Sequence, residues 1–123
     1  MLKMVIRIDE NKVLTEKKYR LDGIYSTINC AFMRRGFKRQ ASEKDALVYC
    51  SNGKASDFAS FGIIVNTLKR ETWFLENITE WSLYESEDSD NPDDFSVEDL
   101  LARYRKKYWG LRGGTKTLQG NKF

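Results

Sequence analysis

The chain of 123 residues contains no histidine, so a Ser-His-Asp triad, a Cys-His pair, histidine zinc ligation and a histidine general base are all excluded. Cys30 and Cys50 stand singly, at neither a zinc-ligand spacing nor that of a disulfide framework. Each reads as a small apolar residue in or near the core. Any chemistry must therefore run on carboxylates, hydroxyls, lysine or arginine, with a bound divalent ion as the expected helper, since a hard cation takes oxygen ligands. Asp9 and Arg7 on one segment, and Arg34, Arg35, Lys38 and Arg39 around the Gly36-Phe37 step, are the residues to weigh. The second group could hold a phosphate backbone. Its plainer reading is as helix C-terminal cations and solvated hairpin residues.

Charge is segregated along the chain. Residues 85–99 carry eight acids (Glu85, Glu87, Asp88, Asp90, Asp93, Asp94, Glu98, Asp99) and no base, whereas residues 103–123 carry seven bases and no acid. The rest of the chain is basic, and such a pattern can steer a nucleic acid toward body and tail while the acidic stretch repels it. The acidic stretch lacks the glycine and closing glutamate of an EF-hand and reads as a solvated loop. In the tail, Tyr104, Tyr108 and Trp109 interleave with bases, a combination able to stack on nucleobases and touch phosphates. The glycines at 110, 113, 114 and 120 point to a flexible end over 108–123, leaving 1–107 as the folded domain.

The elements that must position these residues follow from periodicity. Leu2, Met4, Ile6 and Ile8 alternate with Lys3, Val5 and Arg7, a strand whose continued alternation sets Asp9 on the face opposite the wholly apolar one. Residues 10–19 are polar and read as a loop. Leu21, Ile24, Tyr25, Ile28 and Phe32 recur at helical spacing, with Gly36 as the stop. Residues 37–41 and 46–51 read as two strands of a hairpin across the polar 42–45 linker. Ser56 is placed to cap a second helix with the stripe Phe58, Phe61, Val65 and Leu68, ending at Lys69 and Arg70. Residues 79–84 are a fourth strand with Trp81 and Leu83 on one face, and Ser96 with Asp99 matches a capping box opening a third helix that ends near Lys107. Trp73 and Trp81 read as core anchors. The order β-α-β-β-α-β followed by a helix is that of a ferredoxin-like α+β sandwich, with both main helices on one face of an antiparallel sheet.

The segment Tyr25-x-x-Ile28-x-x-x-Phe32-x-x-x-Gly36-Phe37, then Asn66-x-Leu68-Lys69-x-x-x-Trp73, with Ile8-Asp9 closing the first strand, resembles the virulence-associated protein D (VapD) family. Those proteins are relatives of the small ferredoxin-like subunit of the CRISPR adaptation complex. The resemblance spans residues 3–84. It implies a homodimer packed through the sheet faces and an endoribonuclease, commonly the toxin of a toxin–antitoxin pair, so RNA and a protein antitoxin are the implied partners. It assigns catalysis to the acidic residue ending the first strand, here Asp9. Two such aspartates facing each other across a dimer axis could share a magnesium ion that activates a nucleophile and stabilises phosphate charge; attack by a ribose 2′-hydroxyl would need no metal. The family's Gly-Ser step before the third-strand tyrosine is absent, the corresponding stretch being Asp45-Ala46-Leu47-Val48-Tyr49.

Arg7, on the strand face opposite the apolar one, needs a charge partner at a dimer interface, either Asp9 of one of the subunits or a substrate phosphate. A different class of function is a catalytically silent ferredoxin-like module of a mobile element, binding nucleic acid through the basic body and tail or binding a protein. No apolar stretch reaches the length of a membrane span. Lys3 and Arg7 keep the first segment from being the apolar core of a signal peptide, so a cytoplasmic protein is expected.

Overall fold

Alternation over Leu2–Ile8 (β1) buries Leu2, Met4, Ile6 and Ile8 in the core and leaves Lys3 and Arg7 half-buried on the other side. The computed structural model describes residues 2–40, 46–85 and 96–109. In it β1 is the middle strand of a five-stranded sheet in the order β2-β3-β1-β4-β5, with every neighbouring pair antiparallel. The other strands are β2 (Arg39–Gln40), β3 (Ala46–Cys50), β4 (Ile78–Glu85) and β5 (Ser96–Asp99). The helices are α1 (Glu10–Glu16), α2 (Leu21–Met33), α3 (Asp57–Leu68), α4 (Thr72–Glu76) and α5 (Leu100–Trp109). The architecture is α+β, an antiparallel sheet with helices packed on it. The expected succession of strands and helices is present as β1, α2, β2, β3, α3 and β4; α1, α4 and β5 are additions to it.

Helix α2 lays Ile24, Ile28 and Phe32 onto the sheet. It ends in a Schellman turn: the Phe37 N–H donates to the Phe32 carbonyl and the Gly36 N–H to Met33, at 3.1 and 3.0 Å. Gly36 takes φ +86° there, which a Cβ would make costly. In α3 the buried stripe is Phe61, Ile64, Val65 and Leu68, and Phe58 is 65% exposed, against the sequence reading. The cause is Asp57. Its buried carboxylate accepts from the backbone N–H groups of Asn52 and Lys54 at 2.6 and 3.0 Å. Residues 57, 61, 64 and 68 share the inward face. Ser56 occupies the N-cap position but makes no side-chain capping bond; Asp57 ties down the preceding turn instead.

Three other expectations change. Residues 10–16 are helical, because Asp9 caps them and Val13 is buried. Residues 96–99 form β5 on the edge of the sheet, and α5 starts after Asp99, whose carboxylate accepts from the Ala102 N–H at 3.0 Å. The cap is therefore Asp99, and Ser96 instead donates from its hydroxyl to the Glu85 carbonyl at 3.3 Å. Cys30 is exposed on α2, away from the core, while Cys50 is half-buried on β3. Helix α5 runs past Lys107 to Trp109; the tail from 110 onward, the 41–45 linker and the acidic stretch 86–95 lie outside the described residues.

The core is strongly aromatic. Phe32 stacks on Tyr49 with centroids 3.8 Å apart, and Phe61 meets both Phe32 and Phe37 edge-on. The Tyr49 hydroxyl donates to Asn29 Oδ1 at 2.8 Å. Burial pushes the Tyr49 phenol well above the ordinary tyrosine range, opposed only in part by the nearby Arg39 guanidinium. The unfolded chain releases this proton near pH ~10 whereas the folded chain keeps it. The associated stability is therefore complete below that pH and lost as pH rises above it, at up to about 1.4 kcal/mol per unit. Urea titrations between pH 8 and 11 should show this slope in the wild type and a shallower one in Tyr49→Phe; parallel curves would refute it.

Candidate functional site

The carboxyl end of β1 is where the chain brings reactive groups together. Register slips between Arg7 and Ile8, Arg7 pairing with Glu80 and Ile8 with Ile78, so Thr79 is the extra residue on β4. Such a bulge re-aims the chain beyond it. Asp9 leaves the ladder, its N–H donating to the Asn77 carbonyl at 2.8 Å. It becomes the N-cap of α1, Oδ1 accepting from the Lys12 N–H at 3.2 Å. This satisfies one of the free N–H groups of the first turn. Asp9 is thus half-buried at a helix start, rather than a further residue of the strand's alternation.

Around it the groups are paired. Arg7 Nε lies 2.9 Å from Glu80 Oε1, each side chain 30% exposed. The partner of Arg7 on β4 is therefore Glu80, where the sequence reading offered Asp9 or a phosphate. Glu10 accepts from the Tyr25 hydroxyl at 2.5 Å, and the Arg39 guanidinium stands over the Tyr25 ring, 5.6 Å from its centroid. Arg39 also donates to the Ala46 carbonyl at 2.8 Å, and Ala46 is the register partner of Arg7. Lys12 donates from Nζ to the Glu76 carbonyl at 3.0 Å and faces Glu16 at 3.5 Å. These groups fall into two sets near this end of the sheet: the Arg7–Glu80 pair on the face opposite the core, and Glu10, Tyr25 and Arg39 on the side that α2 covers, with Asp9 at the chain's passage from β1 to α1.

The other proposed cations lie elsewhere. Arg34 and Arg35 are exposed at the far end of α2, roughly 13 Å along the helix axis from Tyr25. They border a cleft of about 360 Å³ with Ser60, Ile63 and Thr67. Lys38 is exposed between the Phe37 anchor and β2. Tyr104, read from sequence as a base-stacking residue, is buried against Trp81, with centroids 5.6 Å apart. Sequence reasoning missed Glu10, Glu80 and the hydroxyl of Tyr25. The available signal was Tyr25 itself, because a tyrosine in an apolar stripe still needs a partner for its O–H.

For a divalent ion, the described residues of one chain contain no group of three or more Cys, Asp or Glu disposed to hold it. Asp9 offers one carboxylate with Oδ1 already in use, and Glu10 is engaged by Tyr25. Magnesium takes one or two carboxylates and completes its shell with waters and phosphate oxygens, and Asp9 is the carboxylate here that would hold it. Compared with family models, curated proteins and solved structures, the chain matches none.

Proposed function

We propose that this chain is a VapD-like endoribonuclease with a ferredoxin-like fold, acting as a homodimer with Asp9 in its catalytic centre. For the fold, support comes from strand placement. β3 lies between β1 and β2, β1 lies between β3 and β4, and α2 and α3 make the two crossovers, which is what two split β-α-β units require. The observation that carries the function is the position of Asp9 at the carboxyl end of β1, with Glu10 next to it in the chain and the Arg7 and Arg39 guanidinium groups near the same end of the sheet, on its two sides. Carboxylates there can take a proton from an attacking hydroxyl, and guanidinium groups can hold the phosphate.

The dimer would use the sheet face that carries Lys3, Val5, Arg7, Val48, Cys50, Ser82 and Tyr84, opposite the core residues of the same strands. Across that axis the two Asp9 carboxylates would hold a magnesium ion, which when bound supplies charge stabilisation at the phosphate. RNA is the proposed substrate, and a protein antitoxin the partner that a toxin of this kind requires. Among the described residues no helix is long and apolar enough to cross a membrane, and the cytoplasm is the proposed compartment.

One observation favours the catalytically silent reading, a ferredoxin-like nucleic-acid-binding or interaction module: Asp9 already has a structural task as the cap of α1. The deciding experiment incubates wild type and Asp9→Asn, both shown to be dimers by gel filtration, with a mixed RNA pool in magnesium or chelator. Cleavage by the wild type alone is expected, and its loss in chelator would place the reaction on the metal route. Equal cleavage by both proteins would remove Asp9 from the chemistry, and no cleavage by either would favour the binding module.

A further inference from the structure

The loop joining α1 to α2 is Lys17-Lys18-Tyr19-Arg20, three cations and an aromatic ring in four consecutive residues, all exposed. Lys17 ends α1 in the left-handed conformation, φ 58°, so the chain turns sharply and presents the next residues outward. Tyr19 makes no ring contact or hydrogen bond among the described residues. Arg20 reaches Asp22 at 3.1 Å, but the two side chains are 85% and 73% exposed, and such a pair is weak and screened.

Beside this loop is a mostly apolar cleft of about 270 Å³, whose lining includes Tyr19, Arg20, Gly23, Ile24 and Trp73. It adjoins a more open hollow that shares Tyr19 and Arg20 and is bordered by Lys17 and Lys18. The indole N–H of Trp73 is satisfied by Glu71 at 2.7 Å. Gly23 borders open space in the cleft: a Cβ there would meet nothing nearer than Arg20 Cβ at 3.7 Å. The cleft also joins the candidate site: Asn77 donates from Nδ2 to the Trp73 carbonyl at 2.6 Å and accepts from the Asp9 N–H at 2.8 Å.

We propose that Tyr19 and Trp73 form a nucleobase-stacking subsite for single-stranded RNA, with Lys17, Lys18 and Arg20 on the flanking phosphates. The inference rests on the reading that RNA is the ligand of this chain. The chemistry is that of single-strand binders, where bases stack on aromatic faces within a cationic groove. A cleft below the usual size of cofactor sites suits one planar base rather than a larger molecule. Its wall is tied to Asp9 by hydrogen bonds through the buried Asn77.

The test uses a short 2′-O-methyl RNA, which cannot be cut through its 2′-oxygen, and reads binding by fluorescence anisotropy. Tyr19→Ala should weaken binding about 5- to 150-fold, the range of one lost base stack. Tyr19→Phe should bind like the wild type. Abasic positions in the oligonucleotide should weaken the wild type and leave Tyr19→Ala unchanged. Gly23→Leu should weaken binding while keeping the fold, because it fills the cleft on an exposed helix face. Replacing Lys17 and Lys18 by alanine should lower the slope of log affinity against log salt by roughly 1.4, two single-strand phosphate contacts. Equal affinity of wild type and Tyr19→Ala, or indifference of the wild type to abasic positions, would overturn the subsite. Tyr19-dependent binding in a protein that cuts no RNA would uphold the subsite and retire the nuclease. RNA cleavage with Tyr19-independent binding would do the reverse.

Discussion

Asp9→Asn is expected to lower RNA cleavage by at least about 100-fold, the scale on which one positioned proton acceptor contributes, while leaving folding stability within about 0.5 kcal/mol of the wild type. The choice of asparagine matters. Asp9 caps α1 through Oδ1 and the Lys12 N–H, and α1 has seven residues with Val13 as its one buried side chain, so it has little else to hold it. Alanine would remove the cap at about 0.5–2 kcal/mol and fray the helix whose first residue is Glu10. Lost activity in Asp9→Ala could then come from a displaced Glu10–Tyr25 pair. Asparagine caps about as well as aspartate and keeps the amide-oxygen acceptor, but it can neither take a proton nor hold a cation as a carboxylate does. Thermal melts beside the cleavage assay separate the two effects. A melt unchanged with activity gone puts the carboxylate charge in the chemistry; activity retained at an unchanged melt leaves Asp9 only its structural role.

The parts of the fold that were legible are those in which one face is unambiguously apolar. β1 puts Leu2, Met4, Ile6 and Ile8 on one face, with Val5 the one apolar residue on the other, α2 repeats Ile24, Ile28 and Phe32 at four-residue spacing, and Gly36 stops it in a left-handed backbone conformation that glycine enters freely. α1 was illegible because a single buried residue, Val13, makes no pattern, and the signal that starts it was read as the end of a strand. Phe58 misled because a phenylalanine in register with Phe61 outweighed the aspartate beside it, although Asp57 faces inward. β5 was hidden because Ser96 and Asp99 have the spacing of a capping box, while the strand between them has every residue exposed.

For the candidate site, β1 alone placed Arg7 and Asp9 near each other. Arg39 joined them only through the pairing of β3 with both β1 and β2, and Glu80 lies 73 residues from Arg7 along the chain. Those are facts of strand register, which local spacing does not carry. Arg34, Arg35 and Lys38 looked equivalent to Arg39 because they neighbour it in sequence, yet α2 carries the first two to the opposite end of the sheet. The Lys17–Arg20 run shows the same limit: Trp73, which lines the same cleft as Tyr19 and Arg20, comes from α4.

Trp81→Ala should cost about 3–5 kcal/mol, the range for removing a large buried aromatic side chain, and that is roughly a fifth or more of the stability of an ordinary small domain. Trp81 has no exposed surface. Its ring meets Phe74 edge-on at 4.9 Å and Tyr104 at 5.6 Å, and its N–H points to Met4 Sδ at 3.3 Å. One residue of β4 thereby joins β1, α4 and α5. The Arg105 guanidinium ties the same region, donating to the Leu75 carbonyl at 3.1 and 2.7 Å and to the Ile78 carbonyl at 2.8 Å. The loss should therefore be shared: with Trp81 gone, Tyr104 loses the ring it rests on. A double-mutant cycle of Trp81→Ala with Tyr104→Ala in urea should give a coupling of about 0.5–1.5 kcal/mol, as for buried aromatic pairs. Trp81→Phe keeps a ring against Phe74 and should cost much less than alanine. The consequence reaches the site, because α4 carries Trp73 and is followed by Asn77, which receives the Asp9 N–H. Trp81→Ala at temperatures where it remains folded should therefore weaken oligonucleotide binding as well, although Trp81 touches no part of the cleft. A destabilised variant with wild-type affinity would show that β1 and α1 position Asp9 and the cleft without help from α4.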